Sequence, residues 1–145
     1  MIKISKLADY AIIVLSVLHK SDGTVLAASS LAQLTHIPEP TVAKVTKKLS
    51  KAGVINSVKG ANGGYTLSDK AQDISIYKVI KAIDGPLALV DCVTDDHECS
   101  FSNVCPTQGR WNKVNAVIQN ALEDVKLSDM VPSNIKEDPK EAIRV

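Results

Sequence analysis

The chain has 145 residues, 45% of them hydrophobic and only 3% aromatic, which suits one domain with an aliphatic core. It has no run of 18 or more apolar residues, and its first residues lack the order of a signal peptide. We therefore expect a cytoplasmic protein without a membrane span. The net charge of +1 hides an asymmetry, because residues 1–89 carry eleven Lys/Arg against six Asp/Glu and residues 90–145 carry six against ten. The basic part could face a polyanion while the acidic part stays away from it.

The first part of the chain predicts two helices. Apolar residues recur at the helical period after Ser5, which can cap a helix that runs to about Lys20. A shorter helix follows, capped by Ser29 or Ser30 and ending near His36. The apolar stripe of the first helix is wide enough to be buried on most sides.

A third helix starts in residues 38–41, runs to Ala52 and stops at Gly53. It has apolar side chains on one face and lysines on another, about 130° away. A short helix, a tight turn and a second helix with a cationic face form the helix-turn-helix pattern, whose second helix enters the DNA major groove. Many solvated helices also carry lysines, so the charge by itself does not distinguish a DNA-binding face from an ordinary solvent-exposed face. The residues expected at the groove are Thr41, Lys44, Lys47, Lys48 and Lys51.

The segment after this helix predicts a β-hairpin. Residues 54–59 and 65–68 have strand character, and Gly60-Ala61-Asn62-Gly63-Gly64 between them carries the Asn-Gly hairpin signal. A hairpin directly after a recognition helix is a wing. We expect Lys59, Asn62 and Gly63 to contact the DNA backbone or the minor groove. A simple turn explains the glycines equally well, but it does not explain the position of the hairpin after the helix.

The second half predicts two more helices. The first is capped by Asp73 or Ser75 and ends at Gly85-Pro86, and the second runs from Pro106 to about Lys126. In the second helix, apolar residues step by three and four positions, a seam typical of coiled coils. This seam packs either against a second copy, which gives a homodimer, or within the same chain. Its residues are Trp111, Val114, Ile118, Ala121 and Val125.

All three cysteines, Cys92, Cys99 and Cys105, lie in one polar segment. An odd number of cysteines in a reducing compartment favours metal or redox chemistry over a disulfide framework. The spacing is longer than the C-x2-C of zinc sites and favours an iron–sulfur cluster, while zinc, a redox thiol pair and inert thiols remain alternatives. A four-coordinate iron needs a further ligand, for which His97 in the segment and Asp9 from a partner subunit are candidates.

These features together resemble the Rrf-two family of bacterial winged-helix transcription regulators over about residues 1–128. The motifs that carry the resemblance are K-L-A-D-Y-A, L-S-K-A-G-V-I, V-K-G-A-N-G-G-Y-T-L, and C-P-T-Q-G-R-W after the cysteine segment. The branch that regulates the SUF iron–sulfur assembly genes is the most similar. The resemblance implies a homodimer with a [2Fe-2S] or [4Fe-4S] cluster on Cys92, Cys99 and Cys105. In the IscR-like pattern the fourth ligand is a histidine, but this chain has Gln108 at that position. Asp9 matches the aspartate that is the fourth ligand in the NsrR-like pattern. Asp9 is therefore the preferred fourth ligand, and His97 is the runner-up.

The expected fold is therefore mainly α with a small β-hairpin wing. A winged helix-turn-helix domain spans residues 1–90, a cluster-binding loop 91–105, a long dimerisation helix 106–128 and a flexible tail 129–145. The expected function is a DNA-binding regulator, most simply a repressor, of iron–sulfur assembly genes that is gated by its cluster. A nitric-oxide or redox sensor of the same family, or a zinc or thiol switch, is the alternative. The sequence has no recognisable catalytic set, so an enzyme is not expected.

Overall fold

The computed structural model describes residues 2–93, 99–101 and 103–132. In these ranges the fold is mainly α with one antiparallel hairpin, as predicted, and no helix there is long and apolar enough to cross a membrane. The helices are α1 (Lys6–Lys20), α2 (Ala28–Thr35), α3 (Glu39–Lys51), α4 (Ile76–Asp84), α5 (Trp111–Asp124) and α6 (Leu127–Met130). The strands are β1 (Ile55–Val58) and β2 (Gly64–Leu67).

Helix α1 forms the centre of the aliphatic core. Ser5 caps its start, as predicted, because the Ser5 Oγ accepts a hydrogen bond from the Ala8 amide at 3.1 Å. Burying each of its large aliphatic side chains contributes roughly 1.5–3 kcal/mol. Its buried side chains are Ala8, Ala11, Val14, Leu15, Val17 and Leu18.

Helices α2 and α3 form the predicted helix-turn-helix. The turn between them is tight because His36 adopts a left-handed conformation and the buried Ile37 donates its amide to the Thr35 hydroxyl at 3.3 Å. The predicted cap of α2 at Ser29 or Ser30 is wrong, since both residues lie inside a helix that begins at Ala28. The reason is tertiary: the chain just before α2 is held in an extended conformation by the hairpin.

The hairpin is joined to the helix-turn-helix by a third extended segment. Leu26 and Tyr65 exchange two backbone hydrogen bonds, of 3.1 and 2.8 Å. A side chain at Gly64, the neighbouring residue, would collide with the carbonyl of Leu26, so the close approach requires glycine there. The wing is therefore fixed against the start of α2.

Helix α5 is shorter than predicted at both ends. Residues 106–110 form turns instead of helix, and one of them, Gly109, has a left-handed backbone (φ 71°). The helix therefore begins only at Trp111. At the other end, Val125 accepts a hydrogen bond from the Ile76 amide at 2.9 Å, and Leu127 donates one to Ile74 at 2.8 Å. These backbone bonds end α5 and place Leu127, the first residue of α6, in the core.

Helix α4 is capped by Ser75, one of the two predicted caps, because the Ser75 Oγ accepts a hydrogen bond from the Lys78 amide at 3.1 Å. The tail predicted from residue 129 begins inside α6. Residues 133–145 lie outside the described residues, as does His97.

Candidate nucleic-acid interface and cysteine segment

The outer face of α3 carries an exposed row of lysines. Lys44, Lys47 and Lys51 are exposed, while Val42 and Val45 on the opposite side of the helix are buried. The helix is held by its apolar face, so the ammonium groups project away from the core. Thr41, in the first turn of α3, is half-buried at the end of this row.

Lys48 differs from the other lysines of α3. Its Nζ donates a hydrogen bond of 2.8 Å to the carbonyl of Ile83 near the carboxyl end of α4. A cation is favoured there because the last carbonyls of a helix have no partner within the helix and carry partial negative charge. Lys48 therefore connects α3 to α4 in this structure, and its contact with DNA stays a prediction.

The hairpin turn has two exposed polar residues, Lys59 and Asn62. Gly63 is half-buried, and its amide donates to the carbonyl of Gly60 at 3.0 Å. A side chain at Gly63 would collide with the carbonyls of Val58 and Gly60. The turn itself thus requires glycine at this position, whether or not the backbone approaches DNA.

The three cysteines are partly exposed free thiols. Cys92 lies in a short 3-10 turn, Asp91–Val93, that packs against α5. Asp9 is exposed in the first turn of α1, where its carboxylate lies 3.9 Å from the Lys6 ammonium. Among the residues described, no three His, Cys, Asp or Glu side chains come together closely enough to hold one metal ion. Convergence of the predicted ligands stays a prediction.

Cys105 has the most distinctive environment of the three thiols. Its Sγ lies 3.3 Å from the Thr107 hydroxyl. Hydrogen bonds from the Thr107 side chain, and then from the Thr107 and Gln108 amides, lower the pKa of this thiol against the opposing effect of burial. A stabilised thiolate is the form that binds metals and attacks electrophiles. Iron–sulfur clusters are held by cysteine thiolates. This chain has three free thiols, and hydrogen bonds stabilise the thiolate form of one of them, so its donor chemistry fits an iron–sulfur cluster.

A side chain that the sequence patterns missed joins the cysteine segment to α5. The Asn115 amide nitrogen donates to the carbonyl of Leu87 at 2.9 Å, and its oxygen accepts from the Leu89 amide at 3.2 Å. These two hydrogen bonds, which we call the Asn115 clamp, hold the connector that leads to Cys92 against α5. No signal in the sequence singled it out, because Asn115 is one of four side-chain amides in α5, with Asn112, Gln119 and Asn120.

The apolar seam of α5 is largely open in the single chain. Trp111 and Val114 are 39% and 44% exposed, Val125 just after the helix is 37% exposed, and α5 has no buried side chain at all. Ala121 is exposed and Ile118 is half-buried. Large apolar side chains that are exposed along one helix indicate an interaction surface.

Comparison with known proteins places these features in one family. The sequence matches the Rrf2 (Rrf-two) family, described as an iron-dependent transcriptional regulator, over residues 4–133. Protein rrf2 of Nitratidesulfovibrio vulgaris is 32% identical to it over 79% of this chain and 75% of that protein. CymR, the global cysteine regulator of B. subtilis, superposes with a TM-score of 0.67 at 26% identity, over 90% of this chain and 96% of CymR. IscR of T. potens superposes with a TM-score of 0.64 at 27% identity, over 89% and 85%.

Asn115→Ala removes both clamp hydrogen bonds. We expect the free energy of unfolding to fall by about 1–2 kcal/mol, because each neutral bond contributes about 1 kcal/mol. We also expect faster hydrogen exchange at the Leu89 amide, measured by NMR. Asn120→Ala, which truncates an exposed asparagine on the same helix, is the matched control and should change stability by less than about 0.5 kcal/mol. Equal effects of the two substitutions would contradict the clamp.

Thr107→Val removes the hydroxyl that stabilises the Cys105 thiolate, so the pKa of this thiol should rise. The measurement is the pH dependence of alkylation in metal-free protein that carries Cys92→Ser and Cys99→Ser, so that only Cys105 reacts. The half-maximal pH should move upward, because less thiolate exists at each pH below it. Thr107→Ser keeps the donor and should leave the midpoint near that of the parent. An unchanged midpoint with valine would show that the hydroxyl has no such effect.

Proposed function

The chain belongs to the Rrf2 family of transcriptional regulators, and on that premise we propose that it binds promoter DNA as a homodimer under the control of its cysteine segment. The family is one of transcriptional regulators, so the chain is a DNA-binding regulator and not an enzyme. Such a protein acts in the cytoplasm, where bacterial promoters lie. The observation that carries the proposal is the exposed lysine row of α3, directly followed by a wing that is fixed to the same domain.

In the proposed complex, α3 lies in the major groove. Thr41 in its first turn is placed near base edges, and Lys44, Lys47 and Lys51 neutralise phosphates along the groove. Lys59, Asn62 and Gly63 of the wing contact the adjacent backbone or the minor groove. Since Leu26 and Tyr65 hold the wing against the start of α2, the helix and the wing would meet DNA as one rigid surface.

The homodimer is supported by the open seam of α5. Two copies that cover this seam on each other would remove Trp111, Val114 and Val125 from water, together with Ile118 and Ala121. Removing apolar surface from water contributes about 25 cal/mol per Å². A two-fold dimer also presents two copies of α3, which is the arrangement that a palindromic operator requires.

The proposed sensor is an iron–sulfur cluster, [2Fe-2S] or [4Fe-4S], held by Cys92, Cys99 and Cys105. The partner subunit's Asp9 is the preferred fourth ligand, and His97 is the runner-up. When bound, such a cluster supplies sensitivity to iron supply, oxidants or nitric oxide. The chain's own contribution is mechanical: the Asn115 clamp and the 3-10 turn at Cys92 tie the cysteine segment to α5. A rearrangement of that segment would therefore act on the dimerisation helix.

The proposed targets are iron–sulfur assembly genes, which the protein would repress. A nitric-oxide or redox-sensing role, or a zinc or thiol switch, is the second candidate. The hydrogen-bonded thiol of Cys105 favours this second candidate, because a stabilised thiolate reacts without any metal.

Binding to a duplex from the protein's own promoter tests the DNA interface. The logarithm of affinity should fall steeply with the logarithm of salt concentration, by roughly 0.9 for each phosphate contact. Lys47→Gln should reduce that slope by about 0.9. Lys20→Gln, at the far end of α1, is the control for charge and should leave the slope unchanged. A protein that binds no promoter DNA in any metal or redox state would refute the proposed function.

Anaerobic purification followed by iron, sulfide and zinc analysis tests the sensor. We expect a coloured protein with iron and sulfide, and loss of both in Cys99→Ser. Asp9→Ala should shorten the lifetime of the cluster in air, whereas Asp22→Ala, an exposed aspartate beyond the end of α1, should not. A colourless protein with one zinc per chain, or with no metal at all, would favour the second candidate.

A further inference from the structure

A cleft between α3 and α4 is lined by four lysines. Its volume is about 610 Å³, and its lining residues are Lys48, Lys51, Ala52, Lys78, Lys81 and Ala82. None of them is acidic. Lys78 and Lys81 come from α4, three residues apart and therefore on the same side of that helix. They contribute charge that the α3 pattern did not include.

The positive charge of the cleft is only partly balanced. Lys78 lies 3.6 Å from the carboxylate of Asp69, and Lys48 is bound to a backbone carbonyl rather than to an acid. Lys51 and Lys81 form no ion pair with any residue that the structure describes. Asp84, three residues after Lys81, is exposed and is not paired with it within 4.0 Å. A surface that only keeps a protein soluble mixes both signs of charge, whereas the residues that line this cleft include four lysines and no acid.

The chemistry of the cleft suits an anionic group. Its other lining residues, Ala52 and Ala82, have short side chains that leave space between the lysines. A lysine ammonium group offers up to three hydrogen-bond donors and attracts anions, and four lysines line this cleft. A phosphate group, with its negative charge and acceptor oxygens, matches such a site.

We propose that this cleft binds phosphate groups, and that the nearest source is the DNA backbone beside the segment that α3 contacts. Lys51 belongs both to the exposed row of α3 and to the cleft, so the two surfaces are continuous. The identification of DNA as the source of the phosphate groups rests on the proposed function. It adds Lys78 and Lys81 of α4 to the proposed DNA interface. Free phosphate-bearing molecules have the same chemistry and are distinguished by the experiment.

The test compares the double variant Lys78→Gln/Lys81→Gln with two controls. Asp69→Asn breaks the ion pair of Lys78 but keeps every cleft lysine. Lys20→Gln/Lys70→Gln removes the same charge from exposed positions outside the cleft. Affinity is measured between 50 and 200 mM salt on a duplex limited to the operator and on one extended by about one helical turn at each side.

If the cleft binds the DNA backbone, the salt dependence of the cleft variant on the extended duplex should be weaker than that of wild-type protein. Its affinity ratio between the two salt concentrations should fall roughly threefold for each phosphate that it no longer neutralises, beyond any change in the charge control. If the source is free phosphate, inorganic phosphate should produce saturable NMR shifts at Lys81 and Ala82 that the cleft variant abolishes, while the duplex data match the control.

The inference is overturned if the cleft variant behaves like Lys20→Gln/Lys70→Gln on both duplexes and wild-type protein shows no saturable phosphate shifts. In that outcome wild-type protein still binds the operator, so the proposed function stands. A different outcome would separate the two proposals. If wild-type protein does not bind DNA but shows phosphate shifts that depend on Lys78 and Lys81, the proposed function is refuted and the cleft remains a phosphate site.

Discussion

The exchange of two backbone hydrogen bonds between Leu26 and Tyr65 is the constraint on which the DNA-binding part depends. It sets the point at which α2 begins, and it holds β2 against the chain that enters the helix-turn-helix. Gly64 makes the approach sterically feasible, since any side chain there would meet the carbonyl of Leu26. An isolated two-stranded hairpin is marginal in water, so this third extended segment is what makes the wing a fixed element.

A second pair of backbone bonds has the same effect at the other end of the domain. Ile74 and Ile76 pair with Leu127 and Val125, which ends α5 and brings α6 into the core. With the Asn115 clamp, α5 is attached to the domain both through its own carboxyl end and through the connector that leads to Cys92. This double attachment is a physical route by which the cysteine segment and the DNA-binding domain could influence each other.

The lysines of α3 serve more than one purpose. Lys44 and Lys47 are exposed and free to meet a polyanion, Lys48 is bound to the end of α4, and Lys51 is shared with the cleft beside α4. A helical projection treats all four as one cationic face. The packing of α4 against α3 divides that face into parts with different surroundings.

The sequence by itself determined the order of the elements, the helix-turn-helix with its wing, and the aliphatic core. These depend on local periodicity, on turn residues such as Gly53 and Asn62-Gly63, and on caps such as Ser5, all of which act over a few residues. Only the tertiary structure decided where α2 and α5 begin and end, because those limits follow from backbone pairing between distant segments. For the same reason, the sequence did not predict the Asn115 clamp, the hydrogen bond from Lys48 to Ile83 or the cleft between α3 and α4. Each joins residues that lie 26 or more positions apart in the chain, and no local pattern of residue types encodes such a contact.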